Sequence, residues 1–387
     1  MGSEMCIRDS PWILKEVGTT YKVFERNPYY PVVDSAGNQL PYIDKIVATI
    51  IDPEVYQLKI TSGEADVACV HTSLENYPLY KENEEKGGYR VVPIPGIIGS
   101  ELSLGINLNH PDSVRRKINE DIRFRKALSL AINREEINET CYFGLAFPRQ
   151  ATVLPDTSYY KEEWGKAYAQ YDPDEAKRLL DEAGLTKRDK DGFRLRPDGK
   201  TLLLLVEYCP ETHPMATSIL ELVKEYWNAV GIKTEIKPEE RSFYETRSAA
   251  GECDVVVWHT DRMTEGTNYS MGGSWFNPGW TGFNHTEWTR WFNTDGKEGE
   301  EPPEDVKELY KWCRDWVVAT SKEEYIQLAQ KIFDWHAKNV WMIGTVGMPA
   351  MPIVVKNNLR NVSKEAYFGA GVEFWLPSQP AQWFFKK

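Results

Sequence analysis

The 387-residue chain contains no run long and apolar enough to cross a bilayer. A spanning helix needs about 20 consecutive apolar residues. The best stretch, Val340 to Val355, is uncharged but broken by Gly344, Gly347, Pro349 and Pro352. It reads as a strand with a turn. Positive charge is also scarce: 46 Lys and Arg face 58 Asp and Glu, for a net charge of −12. Nucleic-acid binding rests on clustered Lys and Arg, so DNA or RNA is excluded as a general partner. Anionic lipid surfaces would repel the same charge. The six cysteines (Cys6, Cys69, Cys141, Cys209, Cys253 and Cys313) include no CxxC and no closely spaced pair. They read as small buried side chains rather than as a disulfide framework or a zinc site. Histidine is sparse as well, and no HExxH occurs. Phosphate-binding GxxxxGK[ST], dinucleotide GxGxxG and nucleophile GxSxG motifs are all missing. Metal, cofactor and nucleophile chemistry therefore have no sequence nominee.

What the chain has is core-forming material and tryptophan. Hydrophobic residues make up 41% and aromatics 12%, and Trp occurs 14 times, as often as Phe. The length fits two or three domains. Met1 to Ser10 is polar, lacks the apolar segment of a signal peptide and matches nothing that follows, so it is set aside as a tag or artefact.

A first block, from Pro11 to about Gly105, reads as short strands and turns. Tyr21–Arg26 alternates, Ile46–Ile51 is β-branched, Asp52-Pro53 opens a short helix ending near Gly63, and Leu102–Leu108 is a further strand. The second block is richer in helices. Asp172-Pro173 caps a helix that stops at Gly184. The spacing then predicts a βαβαβ run: strand 202–208, helix 214–230, strand 232–236, helix 243–250, strand 255–258. That order implies a parallel α/β sheet, and such sheets bind ligands beyond the carboxyl ends of their strands. A Gly- and Trp-rich loop, 266–291, follows. Two long helices, 304–319 and 321–338, come next, the second opened by the capping box Ser321-Lys-Glu-Glu324.

The strongest functional signal is aromatic. Trp258, Trp275 and Trp280 fall just past the last strand of the run. A flat indole covers the face of a sugar ring or an apolar side chain and keeps one N–H for a polar rim. Trp288 and Trp291 sit three apart, as core residues of a helix would. Trp312, Trp316 and Trp335 also read as helix core. Asp261 lies three residues after Trp258, where a carboxylate can accept from an ammonium group or sugar hydroxyls. Its bland alternative is a local ion pair with Arg262. Paired acids such as Glu84-Glu85, Glu135-Glu136 and Glu239-Glu240 read as solvated surface.

Several stretches, taken together and in order, resemble the family 5 extracellular solute-binding proteins, the dipeptide- and oligopeptide-binding components of bacterial ABC importers. They are Pro11-Trp-Ile-Leu and Phe24-Glu-Arg-Asn-Pro-Tyr-Tyr30, Leu40-Pro-Tyr-Ile-Asp-Lys-Ile46, Thr61-Ser-Gly-Glu-Ala-Asp66, Ile122 to Arg134, Tyr171 to Gly184, and Trp227-Asn-Ala-Val-Gly-Ile232. The resemblance covers essentially all of residues 11–387. It implies an α/β, periplasmic-binding-protein-like fold (type II, cluster C) of two lobes with the first lobe incomplete. Residues 11–105 would form part of lobe I, 106–344 the C-terminal lobe, and 345–387 a return to lobe I. The family's N-terminal stretch has no counterpart, so the chain is expected to be a fragment, with apolar surface left exposed on residues 11–105.

The resemblance further implies a non-enzymatic, cofactor-free monomer in the periplasm, or anchored outside a bacterial membrane. Such a protein captures a peptide or oligosaccharide between its lobes and delivers it to membrane permease subunits. Peptide binders of the family carry a Trp-x-x-Asp motif whose Asp holds the peptide amino group. Trp258-His-Thr-Asp261 keeps it, but Arg262-Met-Thr-Glu265 departs from what usually follows. The Arg that dipeptide binders place before the 214–230 helix is missing from Cys209-Pro-Glu-Thr-His213. Both departures weaken a dipeptide reading, and the Trp load fits sugars, which some members bind. Trp258, Asp261, Trp275 and Trp280 are thus the expected ligand-binding residues. Two other uses stay open, a sensor or chaperone on the same fold and a secreted glycoside hydrolase with a carboxyl pair beside the Trp cluster.

Overall fold

A computed structural model of the chain describes residues 10–69, 72–212, 215–280, 283–364, 367–369 and 378–386. The segment set aside as a tag therefore lies, apart from Ser10, outside the described residues, as does the first residue of the expected 214–230 helix. The chain divides into two compact units. One holds the chain up to Gly96 together with Ala350 onward, and the other is Ile97–Pro349. The expected boundaries at 105/106 and 344/345 thus move to 96/97 and 349/350. The first boundary moves because the strand Ser100–Ile106, expected in lobe I, pairs with Val255–Thr260 in the second unit.

The first unit contains a three-stranded antiparallel sheet in the order Trp12–Val17, Tyr21–Arg26, Lys45–Thr49. Its other main sheet places Ala350–Lys356 between Val67–Ala68 and Tyr89–Pro95, antiparallel to both. The helix Pro53–Thr61 starts as its sequence dictates. Asp52 accepts from the Glu54 N–H at 2.9 Å, and Pro53 fills the first turn. Ile60, Tyr80, Tyr89, Val91 and Val354 pack into one buried cluster beneath it. Large apolar side chains stay exposed in this unit, Leu14, Val17, Val47, Ile50 and Leu58 among them.

The second unit is built on a five-stranded sheet. Its order is Ile343–Gly344, Ser100–Ile106, Val255–Thr260, Leu203–Tyr208, Lys233–Pro238. The last three strands run parallel to one another, as the βαβαβ pattern requires. The sheet is nevertheless mixed, because Ser100–Ile106 is antiparallel to both of its neighbours. Its sequence explains the interior position. Leu102 and Leu104 on one face and Ser103 on the other are all fully buried, and a strand covered on both faces belongs inside a sheet. Ala216–Ala229 covers the sheet with Ile219, Leu220, Val223 and Trp227. The capping box at Ser321 forms in part. Ser321 Oγ accepts from the Glu324 N–H at 3.1 Å, while the Glu324 carboxylate reaches back to the Thr320 N–H at 3.0 Å.

A buried ion pair ties the sheet to its flank. Asp254 pairs with Arg115, lies 3.0 Å from His110 Nε2, and accepts from the Leu205 N–H at 2.9 Å. Burial alone would raise the Asp254 carboxyl, but His110 and Arg115 together hold it below its ordinary value. The five described cysteines, Cys69, Cys141, Cys209, Cys253 and Cys313, are all buried, in keeping with their small-side-chain reading. No helix among the described residues is long and apolar enough to cross a membrane.

Candidate functional site

The strand Val255–Thr260 delivers the site. Its partner Ser100–Ile106 stays in register as far as Trp258, which lies opposite Ser103. A bulge then intervenes before Thr260 meets Ser100. Bulges re-aim side chains at the ends of strands, and here the extra residue is on the partner strand, where Glu101 and Leu102 stand against the single His259. Three residues past His259, Arg262 adopts φ 60°, in the left-handed region that non-glycine residues avoid. The chain turns sharply there, directly after Asp261, a local strain of the kind found at ligand sites.

The four expected residues come together. Trp258 is half-buried and lies parallel to the Tyr244 ring, with centroids 6.3 Å apart and 1° between planes. Asp261 Oδ1 accepts from the Trp275 indole N–H at 2.8 Å. His259 Nε2 stands 3.7 Å and Arg262 Nε 3.5 Å from Asp261 Oδ2. Burial would raise the Asp261 carboxyl, but bonds from His259 and Trp275 and the charges of His259 and Arg262 bring it below its ordinary value. The carboxylate is thus held ionised in a partly enclosed place. Trp275 is 8% exposed and meets Trp280 edge-to-face at 5.0 Å. Trp280 is 36% exposed, with the Arg262 guanidinium 5.9 Å from its ring centre. Asp261 and Arg262 do meet, as the bland reading had it, but Asp261 is also bonded to a tryptophan that the sequence left unconnected to it.

Trp258 and Trp275, with Tyr244 and Phe283, line an open cavity of about 450 Å³ to which Thr289 and Arg290 add polar groups, while Asp261 and Trp280 touch Trp275 but are not among the lining residues. That volume suits a ligand the size of a short peptide or a small sugar, and an apolar lining with few polar groups is what such pockets share. Tyr244, Phe283 and His259 were not singled out by sequence. Tyr244 carried a usable signal, as a buried aromatic on the helix Arg241–Ala249 that feeds the strand. Phe283 carried none. The 266–291 stretch also proves more helical than its glycines imply. It forms helices Glu265–Ser270 and Thr286–Asn293 with a 3₁₀ turn at Ser274–Phe276 between them. Trp288 is buried in the second of these helices, Trp291 is half-buried, and Trp316 is fully buried, while Trp312 and Trp335 each keep part of their surface in solvent. Among the described residues no group of three or more His, Cys, Asp or Glu is placed to hold a metal ion.

Comparison with known proteins gives this arrangement a context. A periplasmic alpha-galactoside-binding protein of Rhizobium meliloti (strain 1021) is 31% identical over 192 residues, 46% of this chain and 27% of that protein. The dipeptide-binding protein of Escherichia coli (strain K12) is 27% identical over 229 residues, 59% of this chain and 38% of that one. Among solved structures, an oligopeptide-binding protein, OppA, superposes with a TM-score of 0.86 at 37% identity, covering 97% of this chain and 62% of that one. The chain thus spans well under two thirds of the curated relatives it matches. The family model for bacterial extracellular solute-binding proteins, family 5 (its middle region), matches residues 10–282. The chain belongs to the family 5 bacterial extracellular solute-binding proteins.

Proposed function

We propose that this protein captures a peptide or an oligosaccharide outside the cytoplasmic membrane and hands it to the permease of an ABC importer. The observation that carries the reading is the aromatic-walled cavity of the Ile97–Pro349 unit, set beside an ionised Asp261. Stacked rings supply broad, sequence-tolerant contact at low conformational cost, and the carboxylate supplies an oriented acceptor. Both ligand classes suit that chemistry. A peptide amino group or a sugar hydroxyl satisfies Asp261, while an apolar side chain or a pyranose face covers Trp258 and Trp275. The names of the relatives, an alpha-galactoside binder and peptide binders, support the same two classes. Binding and release need no covalent step, no cofactor and no second copy of the chain.

Isothermal titration calorimetry against di- to pentapeptides and against raffinose and stachyose tests the proposal. Saturable one-to-one binding to one class is expected, weakened at least tenfold by Trp258→Ala. Heat-silent titrations with both classes contradict it.

A further inference from the structure

The buried part of the cavity lining is made of Tyr244, Val256, Trp275, Phe283 and Thr289. Val256 is two residues from Trp258 on one strand, so both point to the same face. Phe283 sits over Gly105, the partner of Val256: a Cβ at Gly105 would stand 2.6 Å from the Phe283 ring. The missing side chain thus makes room for that ring on the sheet. The few polar side-chain atoms of this buried wall are already bonded within the protein. The Tyr244 hydroxyl donates to the Val257 carbonyl at 2.7 Å, the Trp275 indole N–H to Asp261 at 2.8 Å, and the Thr289 hydroxyl to the Pro278 carbonyl at 2.7 Å. No side-chain donor on the wall is left for a ligand. Charge is confined to the mouth. Glu245 and Arg290 are exposed there, paired with Arg241 at 2.8 Å and with Glu287 at 3.2 Å, neighbours on their own helices.

We propose that the cavity is a side-chain pocket that takes one large apolar residue of a peptide, an aromatic one above all, and discriminates against both sugars and charged side chains. The inference rests on the solute-capture reading and narrows it to peptides that carry such a residue.

Size and cost point the same way. An apolar cavity of about 150 Å³ holds a benzene ring, so one of about 450 Å³ has room for a phenylalanyl side chain and the backbone that carries it. Trp275 and Phe283 already meet edge-to-face at 5.6 Å, and a further ring beside them and Trp258 extends the same packing. A pyranose in that place would bury hydroxyls that find no donor. A lysyl ammonium would lose its water with no counter-charge on the wall. Both are costly, because a buried polar or charged group must be paired. At the mouth, Glu245, Arg290 and Asn293 offer polar contacts to the peptide's own amides.

Calorimetry with Ala-Phe-Ala, Ala-Ala-Ala, Ala-Lys-Ala and stachyose tests it. Wild type is expected to bind Ala-Phe-Ala at least tenfold more tightly than each of the other three. Ala249 lines the cavity yet is exposed at the end of its helix, so a ring placed there fills the space without disturbing the core. Ala249→Trp is expected to weaken Ala-Phe-Ala binding at least tenfold with an unchanged circular dichroism spectrum. Equal affinity of wild type for Ala-Phe-Ala and Ala-Ala-Ala overturns the inference, as does a preference for Ala-Lys-Ala or for stachyose. Each of these outcomes leaves solute capture standing. Undiminished Ala-Phe-Ala binding by Ala249→Trp overturns the inference as well. Heat-silent titrations with all four ligands overturn both readings. The comparison among the four ligands needs only wild type, so it decides the matter even if the variant fails to fold.

Discussion

Two buried histidines should make the Ile97–Pro349 unit acid-sensitive above the range in which ordinary carboxylates titrate. His285 and His336 lie among Trp288, Trp335, Trp341 and Phe276, and His336 Nε2 donates to the Phe276 carbonyl at 2.7 Å. Burial, the dominant cause, holds both imidazoles neutral, with pKa values lowered from 6.5 to about 3. The unfolded chain therefore binds more protons than the folded one at any pH between those values. Stability is full above 6.5 and declines as pH falls below it. At pH 5.0 an unfolded histidine of ordinary pKa favours unfolding by about 2 kcal/mol, and the result is insensitive to the folded value so long as that stays well below 5. The two together contribute about 4 kcal/mol between pH 7.5 and 5.0. Glu101, whose carboxyl burial raises above its ordinary value, works in the opposite direction. The informative quantity is therefore the difference between wild type and His336→Gln, in which Glu101 cancels and the donor to Phe276 is kept. Urea unfolding followed by tryptophan fluorescence at the two pH values should show wild type losing about 2 kcal/mol more than the variant. A difference under about 0.5 kcal/mol would refute the reasoning, because it requires that His336 be charged in the fold or equally neutral when unfolded.

Asp254→Ala leaves Arg115 buried without its partner and should cost about 3–5 kcal/mol in chemical denaturation. Gly344→Ala places a methyl 2.2 Å from the Ala151 backbone nitrogen. No flexible side chain can yield there, so a fall in Tm of several degrees is expected by scanning calorimetry. Asp261→Asn keeps the shape and removes the charge. Ligand affinity should fall at least tenfold, the loss of a charge-assisted bond worth about 1.5–3 kcal/mol, while the circular dichroism spectrum is unchanged. Undiminished affinity would remove Asp261 from the site.

Strands and helices with strong local signals were legible in the sequence. The helix Pro53–Thr61 follows from Asp52-Pro53, and the parallel run of strands follows from alternating periods and the glycine stops. The antiparallel insertion of Ser100–Ile106 was not, because pairing partners 150 residues apart leave no local trace. Its apolar residues fit either unit equally well. The clustering of Trp258, Asp261, Trp275 and Trp280 was readable from the rule that α/β sheets bind beyond their strand ends. The bond between Trp275 and Asp261 was not, since the 3₁₀ turn at Ser274–Phe276 that aims the indole is set by tertiary packing.

The central claim is that the aromatic cavity beside Asp261 holds the solute. Crystals of the protein soaked separately with Ala-Phe-Ala and with stachyose test it most directly. Ligand density in van der Waals contact with the Trp258 and Trp275 rings, with a donor within 3.2 Å of Asp261, is the expected result. Density for the ligand elsewhere on the chain, with the cavity filled only by water, would contradict it.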